Sequence, residues 1–165
     1  LGMGTGDFLV SMGENHPHQF FLGVEVKADR IMKAFRKTDA KSLQNIAFLR
    51  SHIEKLKRLE VPVAESIFLL FPDPWPKKKH SRRRLSSPFF LDIYQTLLKK
   101  NGLLIFKTDD EPLYSYSLEQ LEKKSWNIRT SNRDYKTPDN LQTAYEKRFK
   151  ALQKPIFYLE AFPPP

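Results

Sequence analysis

The run Phe68-Leu69-Leu70-Phe71-Pro72-Asp73-Pro74-Trp75-Pro76 is an apolar stretch that stops at a carboxylate held between prolines, beside a tryptophan. Six cations follow within eight positions: Lys77, Lys78, Lys79, Arg82, Arg83 and Arg84. A buried strand that brings one acid and one aromatic ring to a sheet edge, with a phosphate-seeking surface next to them, points to chemistry on a nucleic acid. Charge runs more often serve as solvated faces or localisation tracts. Position decides here, because the run leaves directly from a strand end. Trp75 keeps two readings, a core ring packed under the loop or a platform for a base.

Three further features carry chemistry. Gly2, Gly4 and Gly6 alternate at the start of the chain, and glycines let a backbone turn sharply and approach a ligand closely. Glu25 ends the apolar run Phe20–Val26 and follows the glycine loop by about twenty residues, the spacing at which an acid bonds ribose hydroxyls in nucleoside-binding αβ folds. Asp109 and Asp110 end the run Leu103–Phe106 in the same way. The loop pattern Gly-x-Gly-x-Gly cradles no diphosphate and so favours S-adenosylmethionine over a dinucleotide.

The elements that must position these residues follow from hydrophobic periodicity. A helix is expected from Lys27 to about Leu43 with Ile31, Met32 and Phe35 inward, then a strand at Ile46–Leu49. A helical turn at His52–Leu59 with Ile53, Leu56 and Leu59 inward precedes the Ile67–Phe71 strand. Ser87-Pro88 opens a helix that closes on Lys99-Lys100-Asn101-Gly102. A helix from about Glu111 to Lys124 and strands at Trp126–Thr130 and Ile156–Leu159 complete the pattern. Alternating strands and helices argue for a doubly wound, mostly parallel α/β sheet, with one of the last two strands antiparallel. In such sheets ligands bind beyond the carboxyl ends of the strands, where the glycine loop, Glu25, Asp73 and Asp109 should meet.

Composition narrows the class. The 165 residues suit one domain spanning the whole chain, and a net charge of +9 favours a polyanionic partner. No apolar run is long enough to span a bilayer and no signal peptide is visible, so no membrane partner and a cytoplasmic setting are expected. The four histidines lack a metal-site spacing, so no metal is expected. Cysteine is absent, which excludes disulfides and any thiolate nucleophile. Leu1 is not methionine, and a strand should precede such a glycine loop, so upstream residues are expected. The sequence leaves monomer and homodimer open.

Phe71-Pro72-Asp73-Pro74-Trp75-Pro76-Lys77-Lys78-Lys79-His80, followed by Arg83-Arg84-Leu85, resembles the signature of the bacterial tRNA (guanine-N7)-methyltransferase family. Gly23-Val24-Glu25-Val26, Thr108-Asp109 and Thr143-Ala144-Tyr145-Glu146-Lys147-Arg148-Phe149 are similar to its other landmarks, in the same order. The resemblance implies a Rossmann-like class I methyltransferase fold with a seven-stranded sheet. The implied activity is methyl transfer from S-adenosylmethionine to N7 of a variable-loop guanine of tRNA, at position 46. It further implies that Gly2, Gly4, Glu25, His52 and Asp73 hold the cofactor. Lys77, Asp109, Thr143, Ala144, Tyr145 and Glu146 would touch the substrate, and Asp73 and Asp109 would stand at the reacting centre. Lys78, Lys79, Arg82, Arg83 and Arg84 are expected on RNA phosphates. The chain departs from the family's pattern at two points: a glutamate usual before Leu1 lies outside the sequence, and His52 stands where an Asp is common.

The missing cysteine agrees with this reading. Pyrimidine C5 methylation normally needs a thiolate to activate the ring, whereas guanine N7 offers an in-plane lone pair and has no proton to lose first. The protein's task is then alignment, plus negative charge near a base becoming cationic. Competing readings are a ribose 2′-O methyltransferase with Lys107 or Lys77 as proton acceptor, a base-amino methyltransferase, a non-catalytic basic RNA-binding subunit and, last, a NAD-dependent oxidoreductase, which would leave the basic run unexplained.

Overall fold

Two short apolar runs, Phe21–Glu25 (β1) and Ile46–Arg50 (β2), pair in parallel with Glu25 opposite Arg50 at their carboxyl ends. They belong to the first of two units in this computed structural model, Leu1–Lys55 with Thr137–Leu152; the second is Leu56–Lys136 with Gln153–Pro165. The structure describes residues 1–59, 61–136 and 143–165, with the backbone alone at 144, 147 and 150.

In the first unit α1 (Asp7–Asn15) and α2 (Ala28–Ala40) pack on the β1–β2 pair and on each other. The core face of α2 differs from the expected one. Ala34 and Thr38 are its buried residues, while Met32 and Phe35 are about half exposed. The reason is a close approach: a Cβ on Gly6 would stand 2.5 Å from the Ala34 Cβ, so the helix meets the glycine loop through its smallest side chain. Phe35 instead meets Phe48 edge-on.

The second unit carries β3 (Ala64–Leu70), β4 (Leu98–Thr108), β5 (Asn127–Asn132) and β6 (Phe157–Phe162) in the order β3-β4-β6-β5. β3 and β4 are parallel, and β6 runs antiparallel to both β4 and β5, the one reversed strand expected near the C-terminus. Helices α3 (Pro88–Leu97) and α4 (Glu111–Lys123) cover β4. Leu69, Leu91, Tyr94, Phe106, Leu113 and Leu121 are essentially fully buried. Each such aliphatic side chain contributes about 1.5–3 kcal/mol by leaving water.

The helix α3 ends before the expected Gly102. Leu98 is already extended, and the register between β3 and β4 jumps from Ala64↔Leu98 to Ser66↔Leu103, so Lys99–Gly102 bulge from the strand with Asn101 at φ 63°. Ser87 occupies the N-cap position, but its hydroxyl donates to the Arg82 carbonyl rather than capping the helix. The turn at Ile53–Leu59 is a 3-10 helix with Leu56 buried and Leu59 exposed. Among the described residues six strands pair in two sheets, one of two strands and one of four. No helix among them is long and apolar enough to cross a membrane.

Candidate active site

The glycine loop of the first unit is a set of left-handed turns. Gly2, Gly4 and Gly6 have φ of 65°, 58° and 78°, which only glycine adopts without strain. Two of the three leave room for something else. A Cβ on Gly2 or Gly4 would meet nothing within 4 Å, whereas Gly6 is committed to the Ala34 contact. The N–H groups of Gly2 and Met3 donate to the Val24 carbonyl, which ties the loop to β1.

Glu25 closes the loop from below. Its carboxylate accepts from the Gly4 N–H at 3.1 Å, the Val26 N–H at 2.8 Å and the Lys27 N–H at 3.1 Å, with Arg30 Nη1 3.6 Å away. The residue is only 5% exposed. A carboxylate offers about four acceptor directions, so three are spent inside the protein and one remains. His52 follows β2 at the same end of the parallel pair, where the Ser51 N–H donates to the Glu25 carbonyl; its side chain is exposed. Glu25, the open glycines and His52 thus come together in one unit. Open backbone at Gly2 and Gly4 beside a carboxylate with one free acceptor direction fits the sugar of a nucleoside cofactor.

In the second unit Leu70 pairs with Lys107, so the chain leaves β3 and β4 at one edge and the loops carrying Asp73 and Asp109 start side by side. Asp73 is exposed and Asp109 half-buried, and neither carboxylate has a hydrogen-bond or ion-pair partner among the described residues. The neighbouring acid behaves differently. Asp110 Oδ1 accepts from the Leu113 N–H at 2.7 Å and caps α4, a role typical of Asp before a helical first turn. Of two adjacent acids, one caps the helix and the other has no partner among the described residues.

The basic run is a 3-10 turn, Lys78–Arg83, with Lys77 at its start. Lys77, Lys78, Lys79, Arg82 and Arg83 are exposed. Arg83 lies over the Trp75 ring at 4.9 Å, and His80 meets that ring edge-on at 5.7 Å. Trp75 is therefore packed within its own loop. Arg84 differs from the phosphate contact expected of it: its guanidinium is half-buried and already holds the carbonyls of Pro74 and Trp75.

The Thr143–Glu146 segment opens a helix, α5 (Ala144–Ala151), that the pattern of apolar residues did not predict. It is a capping box: the Glu146 N–H donates to Thr143 Oγ1 at 3.0 Å, and the Thr143 N–H donates to Glu146 Oε2 at 2.6 Å. Glu146 is 1% exposed and Tyr145 is 56% exposed, its ring stacked near Phe149. The Ala144 side chain, expected on the substrate, lies outside the described residues.

One partner escaped sequence reasoning: Arg30 sits beside Glu25. Lys107, the candidate proton acceptor of the ribose-methylating alternative, is buried with its ammonium 5.2 Å from the Tyr135 ring and 5.8 Å from the Tyr158 ring. Those rings stack 4.0 Å apart, and the Tyr158 hydroxyl donates to Glu160. Burial, reinforced by the Glu160 carboxylate, pushes the Tyr158 phenol far above its ordinary range.

A family model described as "Putative methyltransferase" matches residues 1–159. A tRNA (guanine-N(7)-)-methyltransferase of Lachnoclostridium phytofermentans is 36% identical over 167 residues, covering 98% of this chain and 78% of that protein. One from Mycoplasma genitalium is 37% identical, covering 94% and 79%. Among solved structures, a 16S rRNA (adenine(1408)-N(1))-methyltransferase mutant with cosubstrate SAM from Catenulisporales acidiphilia superposes with a TM-score of 0.71 at 19% identity, covering 97% of this chain and 82% of that one. Fibrillarin of Aeropyrum pernix, with natively bound S-adenosyl-L-methionine, gives 0.64 at 14% identity, with 98% and 64% covered. The fold is thus the Rossmann-like class I methyltransferase fold, and the chain belongs to the tRNA (guanine-N7)-methyltransferase family.

Proposed function

We propose that this protein methylates N7 of a guanine in tRNA, at position 46 in the variable loop, with S-adenosylmethionine as donor. The observation that carries the reading is the pair of acids without a partner among the described residues, Asp73 and Asp109, leaving the sheet at one edge beside an exposed basic turn. When bound, the cofactor supplies an electrophilic methyl group on a sulfonium. Gly2 and Gly4 give it open backbone, Glu25 takes a ribose hydroxyl with its remaining acceptor direction, and His52 reaches the adenine from the end of β2. Asp73 completes the cofactor's surroundings. This reading treats the two units as one methyltransferase domain built on a seven-stranded sheet.

On the substrate side, Asp109 and Glu146 accept from the guanine N1–H and N2–H₂ edge and offset the positive charge that N7 alkylation puts on the base. Thr143, Ala144 and Tyr145 line the same base, and Lys77 meets the adjoining nucleotide. Lys78, Lys79, Arg82 and Arg83 neutralise backbone phosphates, so affinity falls steeply with salt. No general base is required, because N7 carries no proton. Lys107, the base of a ribose-methylating alternative, is buried against two tyrosine rings.

The test is nucleoside mass spectrometry of tRNA incubated with the protein and S-adenosylmethionine. The expected product is 7-methylguanosine alone, lost when the variable-loop guanine is changed to adenine. A ribose-methylated or amino-methylated nucleoside would overturn the reading.

A further inference from the structure

Six cations stand within eight positions of the sequence, and the structure singles out one of them. Arg84 Nε lies 3.1 Å from the Pro74 carbonyl oxygen and 3.3 Å from that of Trp75, and Nη2 donates to the Trp75 oxygen at 3.1 Å. The same guanidinium lies over the Tyr116 ring of α4, 4.3 Å from its centroid. One flat cation thus joins the loop after β3 to the helix after β4.

The loop needs such a clamp. Pro72, Pro74 and Pro76 supply no N–H, so the loop has few backbone donors of its own to satisfy its carbonyls. Phe71 and Trp75 both sit at positive φ, 51° and 45°, a conformation that bulky residues keep only when their surroundings over-determine it. Trp75 is held twice, by Arg84 at its backbone and by Arg83 over its ring. Asp73 immediately precedes Pro74, and Asp109 lies two residues before α4 begins. A link from Pro74 and Trp75 to Tyr116 therefore fixes the two acid-bearing loops with respect to each other.

We propose that Arg84 is a positioning residue: it clamps the Asp73 loop to α4, and the clamp governs the rate of methyl transfer rather than the affinity for RNA. This rests on the proposed function for its kinetic half. Lysine cannot replace it, because a single ammonium cannot fork between two carbonyls while lying flat on a ring.

Arg84→Lys and Tyr116→Leu should each lower kcat about tenfold to hundredfold, the loss that follows from small misplacement of reacting groups. The KM for tRNA and the dependence of binding on salt should stay as in the wild type. Lys79→Ala is the reference for a phosphate contact and should reduce the slope of log affinity against log salt by about one. Acrylamide quenching reads the loop without activity: Trp126 is 4% exposed, so the quencher reports Trp75, and both clamp variants should make it more accessible. Tyr116→Phe keeps the ring and should behave as the wild type. A salt slope that drops by about one in the charge-removing Arg84→Gln, with kcat preserved, would make Arg84 a phosphate ligand and overturn the proposal. Unchanged quenching together with unchanged kcat overturns it as well. Should Arg84→Lys fail to fold, Tyr116→Leu carries the same test. A wild type that forms no 7-methylguanosine removes the proposed function, and the quenching result then decides the clamp alone.

Discussion

Glu25 and Asp109 both end a strand of the same fold, and they treat their carboxylates in opposite ways. Glu25 is buried and accepts three backbone N–H groups, one of them from the glycine loop. Asp109 is half-buried and accepts from none of the described residues. The first acid builds the surface on which a ligand can lie, and most of its hydrogen-bonding capacity is used before any ligand arrives. The second contributes nothing to local structure and keeps its capacity for a partner. The difference separates residues whose loss should appear in stability from residues whose loss should appear in turnover.

Substitutions can break or sharpen that contrast. The largest effect is expected for Asp109→Asn, which should lower kcat/KM on tRNA by about 10²–10³-fold, the range for removing a group aimed at developing charge. Its unfolding free energy from a urea titration should stay within about 0.5 kcal/mol of the wild type. Full activity would take Asp109 out of the reaction. Glu25→Gln puts an amide N–H₂ where backbone donors now point, and should destabilise the fold by about 2–4 kcal/mol. A urea midpoint equal to that of the wild type would show that the carboxylate does not hold the loop. Asp110→Ala removes a helix cap one residue away from Asp109 and should cost about 1 kcal/mol while leaving kcat nearly intact. Loss of activity at Asp110 comparable with that at Asp109 would collapse the distinction between the two acids. The smallest effect belongs to Tyr94→Phe. The Tyr94 hydroxyl is fully buried with no hydrogen-bond partner among the described residues, and burial raises its pKa well above the ordinary value. Removing it should be neutral or stabilising by up to about 1 kcal/mol, read from a thermal melt.

Much of this was legible in the amino-acid sequence. The Leu103–Phe106 run announces a central strand, paired by β3 on one side and β6 on the other, whereas the equally apolar Ile67–Leu70 run lies at the edge of the four-stranded sheet. Thr143-x-x-Glu146 is the written form of a capping box, although its match to a family landmark drew attention to substrate instead. What stayed hidden depended on approach distances. The buried face of α2 turns on Ala34 meeting Gly6, a contact that no apolar periodicity encodes. Met32 and Phe35 carry more hydrophobic weight and misdirect the reading. Arg84 was equally hidden, since six cations within eight positions look alike until a 3-10 helix, with three residues per turn, points them in different directions.

The reversed strand β6 bears on how the molecule is made. β5 reaches the four-stranded sheet only through β6, which is inserted between it and β4. A ribosome therefore releases the residues of β5 well before the segment that will receive them, and β4 waits with an open edge until residues 157–162 emerge. A message cut short even slightly before that point yields a chain with two unsatisfied strand edges rather than a slightly smaller enzyme. Assembly of this half therefore waits on residues 157–162.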